Sequence, residues 1–331
     1  MPSLILSRKD IAEVHSRLAK IKGRDTINQK YWCLKTSGKL FLMPYSSLNL
    51  YSLNSHKIRK NLINFLMNVL GLKKIVLKYE FTVPRAAKDK DMLLSYTSLG
   101  KKIIFFNENS IVKYSLDKKS LSGLENEINF YRNYSKSFPI SVPKFIESGS
   151  NYIAISRVKG SQSIKKSDVI KTFKDRTELS INKGSTKKMM NEYLGTIDKK
   201  YLNKILSIAG GQSLFNQDNL IHLGTVHGDF SSWNMIKSNK IILFDWEDWH
   251  DNGPICFDYF HYFFNDLYLL KRQKFNFVNF VNYYLDSLEK GKDEHNKESQ
   301  CAMLYLLFRF NFERKRGQKQ KNEFLQILGV H

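Results

Sequence analysis

The chain has 331 residues and a formal net charge of +22, from 53 Lys and Arg against 31 Asp and Glu. Its length suits two lobes plus a small addition, and an apolar fraction of 42% supports a packed core, so a disordered chain is excluded. Cys33, Cys256 and Cys301 are scattered and odd in number with no CxxC, which implies neither a disulfide framework nor a zinc site and fits buried thiols in a reducing cytoplasm.

In chain order, residues 11–21 fit a helix, Tyr31–Leu34 and Leu40–Met43 fit strands around Thr36-Ser37-Gly38, and His56–Leu70 fits a helix with Gly71 as its C-cap. Leu93–Thr97, Ile103–Phe106 and Ile111–Lys113 read as strands, the last two joined by the turn Asn107–Ser110. Ser98-Leu99-Gly100-Lys101 is a simple turn or a flap. Asp117–Ser120 turns into a helix in which Leu124, Ile128 and Tyr131 recur at i, i+4, i+7, and Glu125 and Glu127 lie near its start. Val142–Ile146 and Tyr152–Ser156 read as two more strands, and Gly160 suits a chain leaving a sheet. Residues 161–188 are polar and lysine-rich, without a legible element, and read as a mobile insertion or a substrate-side segment.

From there the pattern is helical. Residues 189–208 carry a periodic apolar stripe. Residues 259–270 are apolar enough for a buried helix, and Phe275–Leu288 and Cys301–Phe312 are further helices whose aromatic stripes read as core. No stretch approaches the roughly 18–20 apolar residues of a membrane span. The densest run is broken by Asp258, His261, Asn265 and Asp266, and the opening MPSLILSRKD is too short in apolar residues for a signal peptide.

The chemistry is concentrated in His227-Gly228-Asp229, Asn234, and the apolar run Ile241–Phe244 that delivers Asp245. Gly228 permits a tight turn. A hairpin, out along Met235–Lys237, turning at Ser238–Lys240 and back along Ile241–Phe244, returns Asp245 beside Asn234. A carboxylate, an amide oxygen and a second carboxylate are what phosphoryl transfer needs: one orients the attacking hydroxyl, and the others hold magnesium on a triphosphate through hard oxygen ligands. A lysine for the phosphates and a glutamate to aim it are also required, and Lys113 faces one side of its strand.

These motifs together resemble the aminoglycoside phosphotransferase and choline kinase branch of the protein-kinase-like superfamily, over about residues 93–270. The resemblance implies an α+β, bilobal protein-kinase-like fold, with a small antiparallel β-sheet N-lobe carrying one key helix and a larger, mainly helical C-lobe. Residues 81–158 would be the N-lobe and 159–331 the C-lobe, with 1–80 an extension of unclear role. It implies ATP and Mg as cofactors, Asp229 as catalytic base, and Asn234 and Asp245 as metal ligands. Lys113 would pair with Glu127, which fits the family pattern better than Glu125. Ser98 and Gly100 would form the phosphate flap, and the backbone from Ile155 to Val158 would hold adenine. His227 would brace the catalytic loop, Asp258 would hydrogen-bond that loop from a buried helix, and Glu247 would support the site or meet substrate. No GxGxxG occurs, which argues against a protein kinase.

The acceptor implied is a hydroxyl-bearing small molecule or glycan, with a surface-polysaccharide or lipid-linked sugar preferred over choline or an aminoglycoside. The charge of +22 suits an anionic partner and a protein working at the inner membrane face, although a merely solvated lysine-rich surface explains it equally well. It counts against a polycationic substrate, but the local acids Asp245, Glu247, Asp248 and Asp251 could hold an amine. No zinc-finger spacing, RNP motif or basic zipper supports nucleic acid. A nucleotide-binding pseudokinase scaffold is the competing class. Oligomeric state is unknown.

Overall fold

The computed structural model describes residues 26–36, 39–44, 78–84, 91–97, 100–136, 138, 140–161, 163–196, 218–270, 276–288 and 295–315, with Ala12, Val14 and Ser16 as isolated helical positions. The helix expected over His56–Leu70 and its cap at Gly71 lie outside the described residues, as do Ser98 and the end of the stripe expected over 189–208. The chain divides into two compact units, Met1–Ile128 with Lys144–Arg157, and Asn129–Pro143 with Val158–His331.

The first unit is one antiparallel sheet of eight strands and most of a helix. The strands are β1 (Thr26–Thr36), β2 (Lys39–Pro44), β3 (Lys78–Pro84), β4 (Asp91–Thr97), β5 (Gly100–Phe106), β6 (Ser110–Ser115), β7 (Phe145–Ser148) and β8 (Tyr152–Ser156), in the order β3-β1-β2-β4-β5-β6-β8-β7. Residues 1–80, set apart in the sequence reading, thus contribute strands to the same sheet: β2 pairs with β4 from Lys39↔Ser95 to Leu42↔Met92. The β5–β6 hairpin is closed by Asn107, whose N–H donates to Ser110 O at 2.9 Å and whose Nδ2 donates to Ser110 Oγ at 2.7 Å. The β7 strand begins at Phe145 rather than Val142, one residue clear of Pro143, whose ring cannot donate to a ladder.

Helix α1 spans Lys118–Asn133, three residues earlier than its apolar period suggested. Asp117 is the reason. Its Oδ1 accepts from Ser120 N at 2.8 Å and its Oδ2 from Lys101 N at 2.9 Å, so one side chain caps the helix and ties it to β5. Leu124 and Ile128 turn into the interior. The last turn of α1, from Asn129, belongs to the second unit.

The second unit is mainly helical. It holds α2 (Lys166–Leu179), β9 (Lys183–Ser185), α3 (Thr186–Leu194), β10 (Leu220–Val226), β11 (Met235–Lys237), β12 (Ile241–Leu243), β13 (His250–Pro254), α4 (Cys256–Asn265), α5 (Phe277–Leu288) and α6 (His295–Lys315). The segment read as a mobile insertion or a substrate-side segment, without a legible element, carries α2, which packs Val169, Phe173 and Arg176 inward at i, i+4, i+7. The β10 strand lies between β13 and β9, and β11 pairs with β12 from Met235↔Leu243 to Lys237↔Ile241. Every residue of α4 but Tyr262 is buried. Around it the aromatic stripes form core, with Phe260 stacked on Tyr284 at 4.0 Å and Phe257 edge-on to Tyr305 at 6.0 Å. Cys256 and Cys301 are free and buried. Among the described residues no helix is long and apolar enough to cross a membrane.

Candidate active site

In the first unit, β6 aims Lys113 at α1. Its Nζ donates to both oxygens of Glu127, at 2.8 and 2.9 Å, with Lys113 5% and Glu127 0% exposed. A buried ion pair of this kind rests on tight geometry, because losing either partner strands a charge away from water. Glu125, two residues back on the same helix, is exposed. Gly100 opens β5 with φ 105°, and a Cβ there would lie 2.5 Å from Ser120 N and 2.6 Å from Asp117 Oδ1, so close packing on the α1 cap demands glycine. Ile155 sits inside the sheet, in register with Ile111 and Phe145. Ser156 N donates to Lys144 O and Arg157 N to Asn109 O, so these two donors of the expected adenine segment are engaged within the unit. Val158 is the first residue of the next stretch of the second unit.

In the second unit, β10 delivers His227 and a sharp turn follows. Gly228 has φ 81°, and a Cβ on it would lie 2.2 Å from Asp248 O. Asp258, on the first turn of α4, accepts from His227 N at 3.0 Å, from Gly228 N at 3.1 Å and from Arg176 Nη1 at 2.8 Å. Arg176 also donates from Nη2 to Thr225 O at 2.6 Å. One carboxylate and one guanidinium, both buried, thus pin the end of β10 and the turn after it. From α6, Arg309 Nη1 donates to Gly228 O at 2.9 Å. The His227 ring spans the loop: Nε2 donates to Phe244 O at 3.0 Å, and Nδ1 accepts from Asp229 N at 3.3 Å.

Asp229 is held on both oxygens. Oδ1 accepts from Ser231 Oγ at 2.9 Å and from His261 Nε2 at 3.0 Å, and Oδ2 from Asn234 Nδ2 at 3.0 Å. Burial pushes its pKa up, but the hydrogen bond from His261 and the positive charge of Arg309 outweigh that and hold the carboxyl well below the usual carboxylate range. His261 moves down from its ordinary value, first through burial and then through Arg309, against the pull of Asp229, so the imidazole is neutral at pH 7.

Asn234 ends a short 3-10 turn, and its Nδ2 donates to Asp229 O at 2.9 Å as well as to Oδ2. Both partners are pure acceptors, so the amide orientation is fixed and Oδ1 is the atom left for ligation. Phe244 N donates to Asn234 O at 3.1 Å, bringing Asp245 back beside Asn234 through the β11–β12 hairpin. Asp245 has φ 70°, a left-handed backbone that costs a non-glycine residue about 1–2 kcal/mol and that Asp tolerates better than most. Trp246 anchors the following residue: it is fully buried, stacked on Phe130 at 3.8 Å, and its Nε1 donates to Leu243 O at 3.3 Å. An amide oxygen and a carboxylate on a braced hairpin fit a hard divalent cation such as magnesium. Glu247 is buried at 8% exposure.

Sequence reasoning missed Arg176, Ser231, His261, Asn265, Tyr305 and Arg309. Asn265 Nδ2 donates to Ser231 Oγ at 2.7 Å, so α4 supports Asp229 both directly and through Ser231. The available signal was the interruption of an apolar run at Asp258, His261 and Asn265, spaced i, i+3, i+7 on one helical face.

No protein-family model matches the chain, and no curated protein does. Among solved structures it is similar to the gentamicin complex of the aminoglycoside phosphotransferase APH(2'')-IIa, at 14% identity, TM-score 0.41, over 71% of this chain and 88% of that one. A choline/ethanolamine kinase family protein from Mesorhizobium loti aligns at 12% identity, TM-score 0.41, over 69% and 81%. A macrolide 2'-phosphotransferase type I aligns at 10% identity, TM-score 0.45, over 71% and 89%. All three TM-scores lie below 0.5, so the case for an activity rests on this chain's own residues.

Proposed function

We propose that the chain is an ATP- and magnesium-dependent phosphotransferase that moves a γ-phosphoryl group to a hydroxyl of a small molecule, sugar or glycolipid. The observation that carries the reading is the convergence of Asp229, Asn234 and Asp245: the first two are hydrogen-bonded at 3.0 Å, and the third is returned beside them by a hairpin. The buried Lys113–Glu127 pair supplies the second requirement, a lysine with a fixed aim.

Asp229 accepts the hydrogen bond of the acceptor's hydroxyl and orients its oxygen for in-line attack. The new O–P bond forms as the bond from the γ-phosphorus to the bridging oxygen breaks, and ADP leaves. So acidic a carboxyl is a weak base, so its main work is orientation, and it takes the proton only as the hydroxyl acidifies late in the transfer. Lys113 anchors the nucleotide phosphates. Asn234 Oδ1 and the Asp245 carboxylate would hold magnesium, which when bound neutralises charge developing on the phosphates. The charge of +22 favours an acceptor that itself carries phosphate, such as a lipid-linked or phosphorylated sugar, over a polycationic antibiotic.

The test is magnesium-ATP turnover against hexoses, sugar phosphates, choline and kanamycin, in wild type and Asp229→Asn. Loss of about 100- to 10,000-fold in the variant, with ATP binding kept, is expected for removal of a hydroxyl-orienting base. Equal turnover in both proteins would overturn the assignment. Nucleotide binding without product in any acceptor would mark a scaffold instead.

A further inference from the structure

Asp229 does not stand against bulk solvent on its inner side. His261 reaches it from α4, and behind His261 stands Tyr305 on α6, its hydroxyl 2.9 Å from His261 Nδ1. Both are deeply buried, His261 5% and Tyr305 1% exposed. The directions of the two hydrogen bonds follow from chemistry. An ionised carboxylate only accepts, so the hydrogen between His261 and Asp229 sits on Nε2. A neutral imidazole has one N–H, so Nδ1 is an acceptor and the Tyr305 O–H donates into it.

Counting acceptor sites on Asp229 adds a second result. A carboxylate oxygen has about two lone-pair directions in its plane. Oδ1 uses both, on His261 and on Ser231, which Asn265 holds in turn at 2.7 Å. Oδ2 uses one, on Asn234. One direction on Oδ2 stays open to an incoming hydroxyl.

We propose that Tyr305 and His261 form a positioning relay for Asp229: the Asp229 carboxylate sets His261 as the Nε2–H tautomer, the Tyr305 hydroxyl donates into Nδ1 and holds the ring in place, and His261 with Ser231 saturates Oδ1 so that Oδ2 is the oxygen presented to the acceptor. The proposal rests on the phosphotransferase reading for its purpose, but its geometry can be measured without substrate. His261 and Tyr305 are positioning residues, because they act through Asp229. Neutrality of His261 agrees with its lowered pKa, set by burial and by Arg309.

Two measurements on the full chain separate the relay from the reaction. Imidazole nitrogen NMR at neutral pH, with His261 assigned by its loss in His261→Gln, is expected to show one tautomer, hydrogen on Nε2. Tyr305→Phe should keep that tautomer, which Asp229 still demands, and shift the Nδ1 resonance as its hydrogen bond is lost. A His261 that carries its hydrogen on Nδ1, or both hydrogens, would overturn the relay whatever the enzyme does. The second measurement is magnesium-ATP hydrolysis with water as acceptor, read as kcat and KM separately. His261→Leu is expected to lower kcat about 10- to 100-fold, the scale of one hydrogen bond to a charged group, with KM for ATP unchanged. His261→Gln, whose amide nitrogen stands near the imidazole Nε2 position, should recover most of that loss, which a merely structural role would not predict. Tyr305→Phe covers the case in which His261→Leu fails to fold and should cost roughly 3- to 10-fold, for one neutral hydrogen bond. Wild-type kcat in His261→Leu beside a dead Asp229→Asn would sink the relay and leave the phosphotransferase standing. Full hydrolysis in Asp229→Asn would sink the phosphotransferase and leave the tautomer measurement to decide the relay.

Discussion

Two buried ion pairs, one in each unit, look alike in isolation. Lys113–Glu127 and Arg176–Asp258 both close at 2.8 Å, with all four side chains 6% exposed or less. They differ in reach. The first joins a strand to the next helix, 14 residues on. The second joins residues 82 apart, and its carboxylate also takes the N–H groups of His227 and Gly228. A pair that spans neighbouring elements aims one side chain. A pair that gathers backbone from across a unit shapes a loop, and here that loop carries Asp229.

The largest expected effect probes this difference directly. Lys113→Met and Arg176→Met should each cost about 3–5 kcal/mol, read by urea unfolding, since each strands a buried carboxylate. Adding Glu127→Gln to the first should recover part of the loss by removing the stranded charge. Adding Asp258→Asn to the second should recover less, because the amide nitrogen that replaces Oδ2 turns its hydrogens toward His227 N, which donates to that oxygen. Equal recovery in both would erase the distinction. Next, Gly228→Ala should cost roughly 1–3 kcal/mol and most of the turnover, from positive φ and a Cβ 2.2 Å from Asp248 O, with nucleotide affinity at Lys113 kept.

Acidity sharpens the contrast further. His261 is depressed in the folded chain, so between its folded value and the ordinary value of about 6.5 the unfolded chain binds more protons. Stability is then full above that range and falls as pH drops through it, by up to about 1.4 kcal/mol per pH unit for one proton. Asp229 adds loss in the same direction below the usual carboxylate range. Melting temperature between pH 7 and pH 4 should fall less steeply in His261→Gln. The smallest effect belongs to the first unit: Asp117→Ala should cost about 1 kcal/mol by uncapping α1, with a modest rise in KM for ATP as Glu127 loosens.

The same contrast governs what could be read from the chain. Lys113, Glu127 and the loop with its returning hairpin involve residues close in sequence, so strand alternation, helical period and turn chemistry expose them. Arg176 hid because Ile170 and Leu179 blur the inward face that Val169 and Phe173 mark, and the third inward position is a charge that makes sense only opposite Asp258. The β10 strand was obscured by Gly224 and Thr225. The β13 strand, His-Asp-Asn-Gly-Pro, has the composition of a turn, and pairing with β10 makes it a strand. His261 was visible only as a blemish in an apolar helix, and its meaning depends on Asp229 and Tyr305, which lie 32 and 44 residues away.

The placement of the first three strands bears on how this protein can be handled. The β4 strand is flanked by β2 and β5, so its backbone donors and acceptors are matched on both sides. A chain trimmed to begin at residue 91, at the start of β4, would bare the edge of β4 that β2 covers from Met92 to Ser95. Such a margin invites strands from other molecules, so the shortened protein would come out of solution as aggregates. Leaving the first ninety residues attached is therefore the condition for obtaining the first unit in soluble form.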